Sequence, residues 1–245
     1  MIQIDPRNFN QKYEIIDLSQ PIYQGMPLFP MHQKTFIMKN MTHEENQAMT
    51  GSPTLGFSAR NLLISEHAGT HVDAVWEFLP SGPTIEQMGF EFFIGDAICV
   101  DLRHVQYPKY IEPEDLKEAV EKAGLEIRKG DIFLMWTGHY DRYYPGQRYA
   151  EGPYTGVSEA AAVWLAEQGV VNIGIDAPAI DLTPDDLKFS GHWVCGRYGI
   201  TDSEHYANLG KVAGKRFIYI GLPLKIKEGS GSPIRAIALL EKENK

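Results

Sequence analysis

The chain has little cysteine, no long apolar run and no basic leader. Only two of its 245 residues are cysteine, Cys99 and Cys195, and they do not form a CxxC pair. A disulfide framework and a thiolate zinc site are therefore not expected, which agrees with a reducing compartment. No apolar stretch approaches the ~20 residues that a membrane helix needs, and the opening lacks a signal-peptide pattern. We predict a cytoplasmic protein with no membrane partner.

Basic residues are also in deficit, which excludes one class of partner. The sequence has 23 basic and 32 acidic residues, for a net charge of −9. Such a field repels a phosphate backbone, and no cluster of Lys and Arg counteracts it. We expect no nucleic-acid partner. The GxSxG, GxxxxGK[ST] and GxGxxG motifs are absent too, which sets aside serine-hydrolase, nucleotide and dinucleotide chemistry.

The centre of the chain alternates between strand and helix patterns, which predicts an α/β fold. Strands are predicted over residues 96–102, 131–136, 170–176, 217–222 and 234–240, and helices over residues 113–123 and 158–168. Because further strands fall at both ends, we predict a mixed sheet in a single domain spanning residues 1–245. Residues 1–60 are rich in proline and aromatic residues, and we interpret them as an extended, wrapping segment of that domain.

The chemistry is concentrated in residues 65–78, where His67, His71 and Asp73 lie close together. Imidazole and carboxylate groups are the usual ligands of zinc and manganese. Residues two apart share a face on a strand but diverge by about 200° on a helix. We therefore predict that His71 and Asp73 bind one ion from a strand. His67 can join them only if the chain bends at Gly69 and Thr70, because four extended residues span roughly 13 Å.

This segment resembles a known family signature. His67-Ala-Gly-Thr-His71-Val-Asp73 resembles the HxGTHxDxP motif of the cyclase family, which includes bacterial kynurenine formamidases and isatin hydrolases. Weaker matches follow in the family's order. They are Asp17-Leu-Ser-Gln-Pro-Ile, Gly25-Met-Pro27, Phe29-Pro30, Gly174-Ile-Asp176 with Pro178 and Asp181, His192 with Glu204 and Asn208-Leu209, and Gly231-Ser-Pro-Ile-Arg-Ala236.

The resemblance implies a swivelling β/β/α fold, a homo-oligomer (dimer or tetramer) and one or two divalent ions, zinc or manganese. It also implies the ligand set, which is His67, His71, Asp73, His192 and Glu204. A carboxylate at Glu204 favours a second ion. The implied reaction is hydrolysis of a C–N bond in a small aromatic or cyclic amide by metal-activated water.

The chain departs from the family signature at two positions. The motif normally continues through proline and a third histidine, where this chain has Val75 and Glu77. If the strand continues, Glu77 lies at an even offset and faces the ligands. It is then a catalytic general base, a further metal ligand, or a sign that the parent activity is lost. Because the missing histidine is the family's acid/base residue, the substrate is the property most affected.

Several other residues are candidates for the pocket. Phe29, Trp76 and Trp193 can form an aromatic wall for a planar substrate, although core packing explains each of them equally well. His139 follows a predicted strand and is a further pocket candidate. We interpret His32 as a surface residue and do not count His205 as a ligand. Alternative functions on the same scaffold are a lyase, cyclase or lactone hydrolase, or a non-catalytic module that binds metal or a small molecule.

Overall fold

One large curled sheet organises the protein. The structure, a computed structural model, describes residues 12–182 and 188–242. The strands in these two ranges are β1 (Tyr13–Asp17), β2 (Phe36–Met41), β3 (Ala59–Leu63), β4 (His71–Asp73), β5 (Ile94–Asp101), β6 (Ile132–Trp136), β7 (Asn172–Ile175), β8 (Thr201–Glu204), β9 (Lys215–Ile220), β10 (Gly231–Pro233) and β11 (Ile237–Glu241). The helices are α1 (His43–Thr50), α2 (Pro113–Lys122), α3 (His139–Tyr143), α4 (Arg148–Glu151), α5 (Glu159–Glu167) and α6 (Ser190–Tyr198). Short 3₁₀ turns occur at Val75–Glu77, Ile85–Gln87, Phe90–Phe92 and Leu209–Lys211.

The main sheet is mixed. In the part of the chain that the structure describes, it has nine strands in the order β1-β11-β9-β5-β6-β7-β8-β4-β10. Strands β5 to β8 run parallel to one another, and the strands on both sides of this block pair antiparallel. The predicted α/β fold with a mixed sheet is confirmed. No described helix is both long and apolar enough to cross a membrane.

The sheet is buried on both faces because its central strands alternate between two hydrophobic cores. On β5, Ile98 and Val100 point to one core, whereas Ala97 and Cys99 point to the other. Side chains of α2, α5 and α6 complete the first core. The curled ends of the sheet complete the second, which includes Tyr206 of the segment after β8. Near-continuous apolar strands are what a sheet covered on both faces requires.

The N-terminal segment is more regular than its composition predicts. Strand β1 pairs with β11 at one edge of the main sheet, and α1 follows β2, although no helix was expected there. Helix α1 buries none of its side chains, so it carries no apolar stripe that a sequence pattern would reveal. A capping box between Thr42 and Glu45 defines its start, and Gly51 ends it at φ 71°. Residues 1–11 of the predicted wrapping segment lie outside the described residues.

The close packing between strands provides a test of the fold. A Cβ added at Gly174 of β7 would lie 2.3 Å from Leu134 Cδ2 and 2.8 Å from the Tyr206 ring. We expect Gly174→Ala to lower the free energy of unfolding by about 1–3 kcal/mol, because the core must be overpacked to accept it. Urea denaturation measures this loss.

A matched control lies on the adjacent part of the sheet. At Gly95 of β5 the nearest atom to an added Cβ is 3.9 Å away. Gly95→Ala should therefore leave the urea midpoint unchanged or raise it slightly. Equal destabilisation by both substitutions would contradict the described packing of β7 against Leu134 and Tyr206.

Candidate metal centre

Strands β4 and β8 place four candidate ligands on one face of the sheet. The two strands are antiparallel, with His71 opposite Glu204 and Val72 opposite Ser203. Because alternate residues of a strand share a face, Asp73 lies on the face of His71, and Asp202 lies on the face of Glu204. All four side chains are buried. On both strands, therefore, two candidate ligands that are two residues apart lie on the same face, as predicted for His71 and Asp73.

His67 reaches this face because the chain bends before β4. Gly69 has φ +65°, a left-handed conformation that favours glycine. The bend brings His67 Nδ1 to 2.7 Å from Asp73 Oδ1. The predicted turn at Gly69 and Thr70 is therefore present, and His67 and His71 approach Asp73 together.

His192 enters the same cluster from the first turn of α6. Its Nε2 lies 3.5 Å from Asp73 Oδ2, 3.5 Å from Asp202 Oδ2 and 3.3 Å from Glu204 Oε1. The histidine comes from more than a hundred residues downstream of the HxGTHxD segment. The structure therefore brings all five of the predicted ligands together.

The donor atoms form two groups that share Asp73. One group contains His67, His71 and Asp73, and the other contains Asp73, His192, Asp202 and Glu204. Within each group the donor atoms lie within 4.8 Å of one another. Imidazole nitrogens mixed with carboxylate oxygens suit a divalent cation such as zinc or manganese. A carboxylate shared by both groups is suited to bridge two ions.

Hydrogen bonds behind the cluster orient two of its imidazoles. His71 Nδ1–H donates to the Gly69 carbonyl oxygen over 2.7 Å. His192 Nδ1–H donates to Asp181, whose other oxygen accepts from the Gly191 backbone N–H over 2.6 Å. Both Nε2 atoms are therefore left to face the carboxylates. Metal-ligating histidines typically have their second nitrogen held in this way.

Several polar atoms of the cluster have no hydrogen-bond partner among the described residues. They are His71 Nε2, Asp202 Oδ2 and Glu77 Oε2, all of which are buried. Buried polar atoms are normally paired, because desolvating them alone is costly. Lone pairs left free on an imidazole and a carboxylate, both aimed into one cluster, fit a bound cation.

The charges of the cluster depend on one another. Burial raises the pKa of Asp202 well above its usual value. Burial has the same tendency at Glu204, but the nearby imidazoles of His192 and His71 hold its pKa at about 2. Burial opposes protonation of His192, yet the carboxylates of Asp181 and Asp202 raise its pKa well above the usual value. The carboxylates thus require nearby positive charge, which a cation supplies.

Glu77 faces the cluster, but not by the predicted route. Strand β4 ends at Asp73, and Glu77 lies in the 3₁₀ turn Val75–Glu77, so the even-offset argument was wrong. The turn nevertheless brings Glu77 Oε1 to 3.6 Å from His67 Nε2. Burial, followed by the charge of Asp73, raises the pKa of Glu77 to about 10. Its carboxyl group lies at the boundary between the cluster and the adjacent cavity.

A small cavity of about 190 Å³ opens onto the cluster. Besides Glu77 and the candidate ligands His67, Asp73, His192 and Glu204, its lining is aromatic and apolar. These further residues are Phe29, Met31, His32, Phe78, Pro178, Ala179 and Phe189. The cavity thus combines polar groups at one end with ring surfaces around the remainder, as in many small-molecule sites.

His32 lies in this cavity, which corrects its interpretation as a surface residue. Its ring stacks on that of His67, with a centroid separation of 4.9 Å and an interplanar angle of 13°. Burial, followed by the nearby His67, lowers the pKa of His32 to about 4. A lone histidine far from the motif carries no pattern in the sequence, so only the fold reveals its position.

Of the residues predicted to form an aromatic wall or to line the pocket, only one lines the cavity. Phe29 lines the cavity, whereas Trp76 and Trp193 are 40% and 57% exposed and do not line it. His139 is buried elsewhere and donates from Nε2 to the Tyr149 carbonyl oxygen over 2.8 Å. Phe78 and Phe189 occupy the position expected of the tryptophans.

Asp202 is the ligand candidate that sequence reasoning missed. In the stretch Thr-Asp-Ser-Glu at residues 201–204, Asp202 lies two positions before Glu204, so the two side chains share a face if the stretch is a strand. The parity rule that pairs His71 with Asp73 would have identified it. The strand escaped prediction because all four of its residues are polar although all four are buried.

Comparison with known proteins identifies the family of this chain. Residues 16–182, more than half of the chain, match the sequence model of the Cyclase family, and the protein belongs to that family. It is 26% identical over 230 residues to a kynurenine formamidase of Bacillus cereus, covering 91% of this chain and 96% of the relative. A kynurenine formamidase of Erythrobacter litoralis is 27% identical over 231 residues, covering 94% and 95% of the two chains.

A solved structure shows the same fold. An isatin hydrolase with the bound product analogue thioisatinate superimposes with a TM-score of 0.84. The superposition covers 97% of this chain and 96% of that chain, at 22% sequence identity. The large curled mixed sheet is therefore shared with that structure.

Because Asp73 belongs to both donor groups, measurement of the metal content of variants tests the proposed site. We expect the protein, purified without chelator, to contain divalent metal, with one ion in each of the two donor groups at saturation. Asp73→Ala should lose metal from both groups, whereas Asp202→Ala should lose it from only one. Plasma mass spectrometry of the purified variants measures the ratio of metal to protein.

A surface carboxylate provides the control for this experiment. The Asp96 side chain is 58% exposed, so Asp96→Ala should retain the wild-type metal content. Circular dichroism verifies that each variant is folded. Wild-type metal content in folded Asp73→Ala protein would exclude the shared site.

Proposed function

We propose that the protein is a metal-dependent hydrolase that cleaves the C–N bond of a small aromatic or cyclic amide. The observation that carries this proposal is the bridging position of Asp73 between two donor groups at the polar end of an aromatic cavity. Membership of the Cyclase family supports it, as do relatives named kynurenine formamidase and isatin hydrolase.

The proposed ligands divide between two cations. His67, His71 and Asp73 would hold one, while Asp73, His192, Asp202 and Glu204 would hold the other. Zinc and manganese both suit these nitrogen and oxygen donors. A bound divalent ion supplies acidified water and a polarised carbonyl. Asp181 and the Gly69 carbonyl keep His192 and His71 in the orientation and tautomer that binding requires.

Glu77 is the proposed acid/base residue. Its Oε1 is close to His67, and its Oε2 has no hydrogen-bond partner among the described residues. Positive charge in the donor groups favours its carboxylate form, which can accept a proton from the attacking water and pass it to the departing nitrogen. It occupies the position of the family's missing histidine. Neither candidate donor group includes it, which favours this role over that of a closing ligand.

The rings around the cavity select a planar substrate. Phe78 lies against His192, with a centroid separation of 4.6 Å, and Phe189 lies 5.4 Å from Phe78. Phe29 and His32, whose ring centroids are 5.6 Å apart, also line the cavity. An aromatic ring placed among these rings would present its amide carbonyl to the polar end of the cavity. Burial of that ring favours binding.

We also propose a cytoplasmic homo-oligomer. The two cysteines are buried and unpaired, which supports a reducing compartment. Outside the main sheet, β2 and β3 form a two-stranded sheet that exposes Phe36, Met38, Leu62 and Leu63. Such a small sheet gains stability when its apolar side chains are covered. A second copy of the chain is the proposed cover.

Turnover of defined amides tests the proposed reaction. We expect proton release with an N-formyl aniline or with isatin, a cyclic amide, and none after metal is removed with a chelator. Adding zinc or manganese back should restore the activity. A panel that includes aromatic lactones separates amide from ester hydrolysis. Turnover that is unaffected by complete metal removal would contradict the proposal.

Substitution of Glu77 tests its role separately from metal binding. Glu77→Gln preserves the shape of the side chain but removes its capacity to accept a proton. We expect kcat to fall by about 10²–10⁴-fold while the metal content stays at the wild-type value. Glu114→Gln, at a carboxylate that is 79% exposed, is the matched control. Unchanged turnover in Glu77→Gln would exclude a chemical role.

A further inference from the structure

A second cavity lies on the same edge of the sheet as the metal centre but shares no lining residue with the aromatic cavity. It has a volume of about 250 Å³ and lies beyond the carboxyl ends of the parallel strands β5 and β6. Ligands of α/β proteins commonly bind at this edge. Its lining includes Gln106, Thr137, His139, Arg142, Arg148 and Thr155.

Two guanidinium groups dominate the charge of this cavity. Arg142 Nη2 donates to the Thr137 carbonyl oxygen over 2.7 Å, which fixes that side chain. Arg148 lies over the Tyr143 ring, with Cζ 4.5 Å from the centroid. Among residues 12–182 and 188–242, neither group has an ion-pair partner within 4.0 Å. Most of the five N–H donors that each guanidinium carries are thus available to a ligand.

No carboxylate of the described residues lines the cavity to neutralise these charges. Two acidic residues close to the lining accept hydrogen bonds from other groups, and among the described residues neither forms an ion pair with Arg142 or Arg148. Asp176 Oδ1 accepts from the Thr137 backbone N–H over 2.9 Å and from its hydroxyl over 2.6 Å. Asp141 accepts from the Trp136 indole over 2.7 Å. In a chain of net charge −9, an unneutralised pair of arginines is a local site of positive potential.

His139 contributes shape to the cavity rather than charge. It is 3% exposed, and its Nε2–H donates to the Tyr149 carbonyl oxygen. Burial lowers its pKa to about 4; the Tyr149 carbonyl opposes this shift, and the charges of Arg142 and Arg148 add to it. The fields of both arginines therefore reach the same ring. The imidazole is neutral at pH 7, so the positive charge of the cavity comes from the two arginines.

We propose that this cavity is a second ligand site, which binds a small oxyanion (a phosphate or a carboxylate group) between Arg142 and Arg148. Planar guanidinium groups match the oxygens of such anions in a bidentate manner. The amide of Gln106 and the hydroxyl of Thr155 also line the cavity, but they donate to the Arg103 and Lys109 carbonyl oxygens over 2.7 and 2.6 Å, so the two arginines supply the donors for the ligand. Both arginines are open to solvent, so the ligand can enter without a rearrangement of the fold.

Two rings, those of Tyr149 and His205, lie between helix α4 and the candidate ligand His71. Tyr149 lies on α4 together with Arg148, and its hydroxyl accepts from Gln20 Nε2 over 2.7 Å. Its ring is 5.4 Å from that of His205, which in turn is 5.4 Å from that of His71. Helix α4 thus carries both Arg148 of the proposed anion site and Tyr149, whose ring belongs to this series of aromatic contacts.

Calorimetric titration of the metal-loaded protein tests the proposal. Inorganic phosphate and acetate are titrated separately, and chloride measures the effect of ionic strength alone. We expect saturable binding of phosphate, acetate or both. The anion that binds shows whether the site prefers a phosphate or a carboxylate group. Arg142→Gln and Arg148→Gln should each weaken that binding by about tenfold or more, since each removes charge-assisted hydrogen bonds.

Two further variants make the result specific to the cavity. Arg142→Lys keeps the charge but loses the planar fork, so it should also bind more weakly than the wild type. Lys227→Gln, at a lysine whose side chain is 86% exposed, removes the same charge elsewhere and should bind like the wild type. Absence of binding, or equal binding by the wild type and by folded Arg142→Gln and Arg148→Gln proteins, would overturn the proposal.

Discussion

Three buried carboxylates, Asp73, Asp202 and Glu204, crowd against three imidazoles at the junction of β4 and β8. Like charges this close, in a low-dielectric interior, are tolerated only when positive charge lies among them. The described side chains meet that need in part, through His67, His71 and His192. Free lone pairs on His71 and Asp202 remain. A divalent cation would satisfy these lone pairs, and the proposed chemistry depends on such a cation.

The fold meets the requirement with ordinary backbone geometry. The antiparallel register of β4 and β8 sets His71 opposite Glu204, and strand parity adds Asp73 and Asp202 to the same face. The left-handed Gly69 returns His67 to that face. Helix α6 then delivers His192, whose orientation is fixed by Asp181. Every donor except His67 thus lies on a strand or helix that packs against a buried core, and His67 lies in the turn shortly before β4. A site built in this way depends little on loops.

Local patterns in the sequence determine much of this arrangement, and long-range contacts determine the rest. The strand with His71 and Asp73 follows from their spacing if both bind one ion, and the bend at Gly69 follows if His67 joins them. The central strands of the sheet follow from their apolar runs. Asp202 was missed because β8 is polar and buried, the reverse of the usual hydrophobic signal. His32 reaches the cavity from a distant segment, and Glu77 faces it from a 3₁₀ turn rather than a strand. No periodic pattern in the sequence predicts the position of His32 or of Glu77.

Anomalous X-ray diffraction from a crystal of the metal-loaded protein, recorded at the absorption edge of the bound metal, tests the central claim most directly. We expect anomalous peaks on both sides of the Asp73 carboxylate. One peak should lie about 2.0–2.2 Å from atoms of His67 and His71, and the other at a similar distance from His192 and Glu204. A crystal soaked in zinc or manganese with no peak at Asp73, and with the imidazoles and carboxylates still in mutual contact, would contradict it.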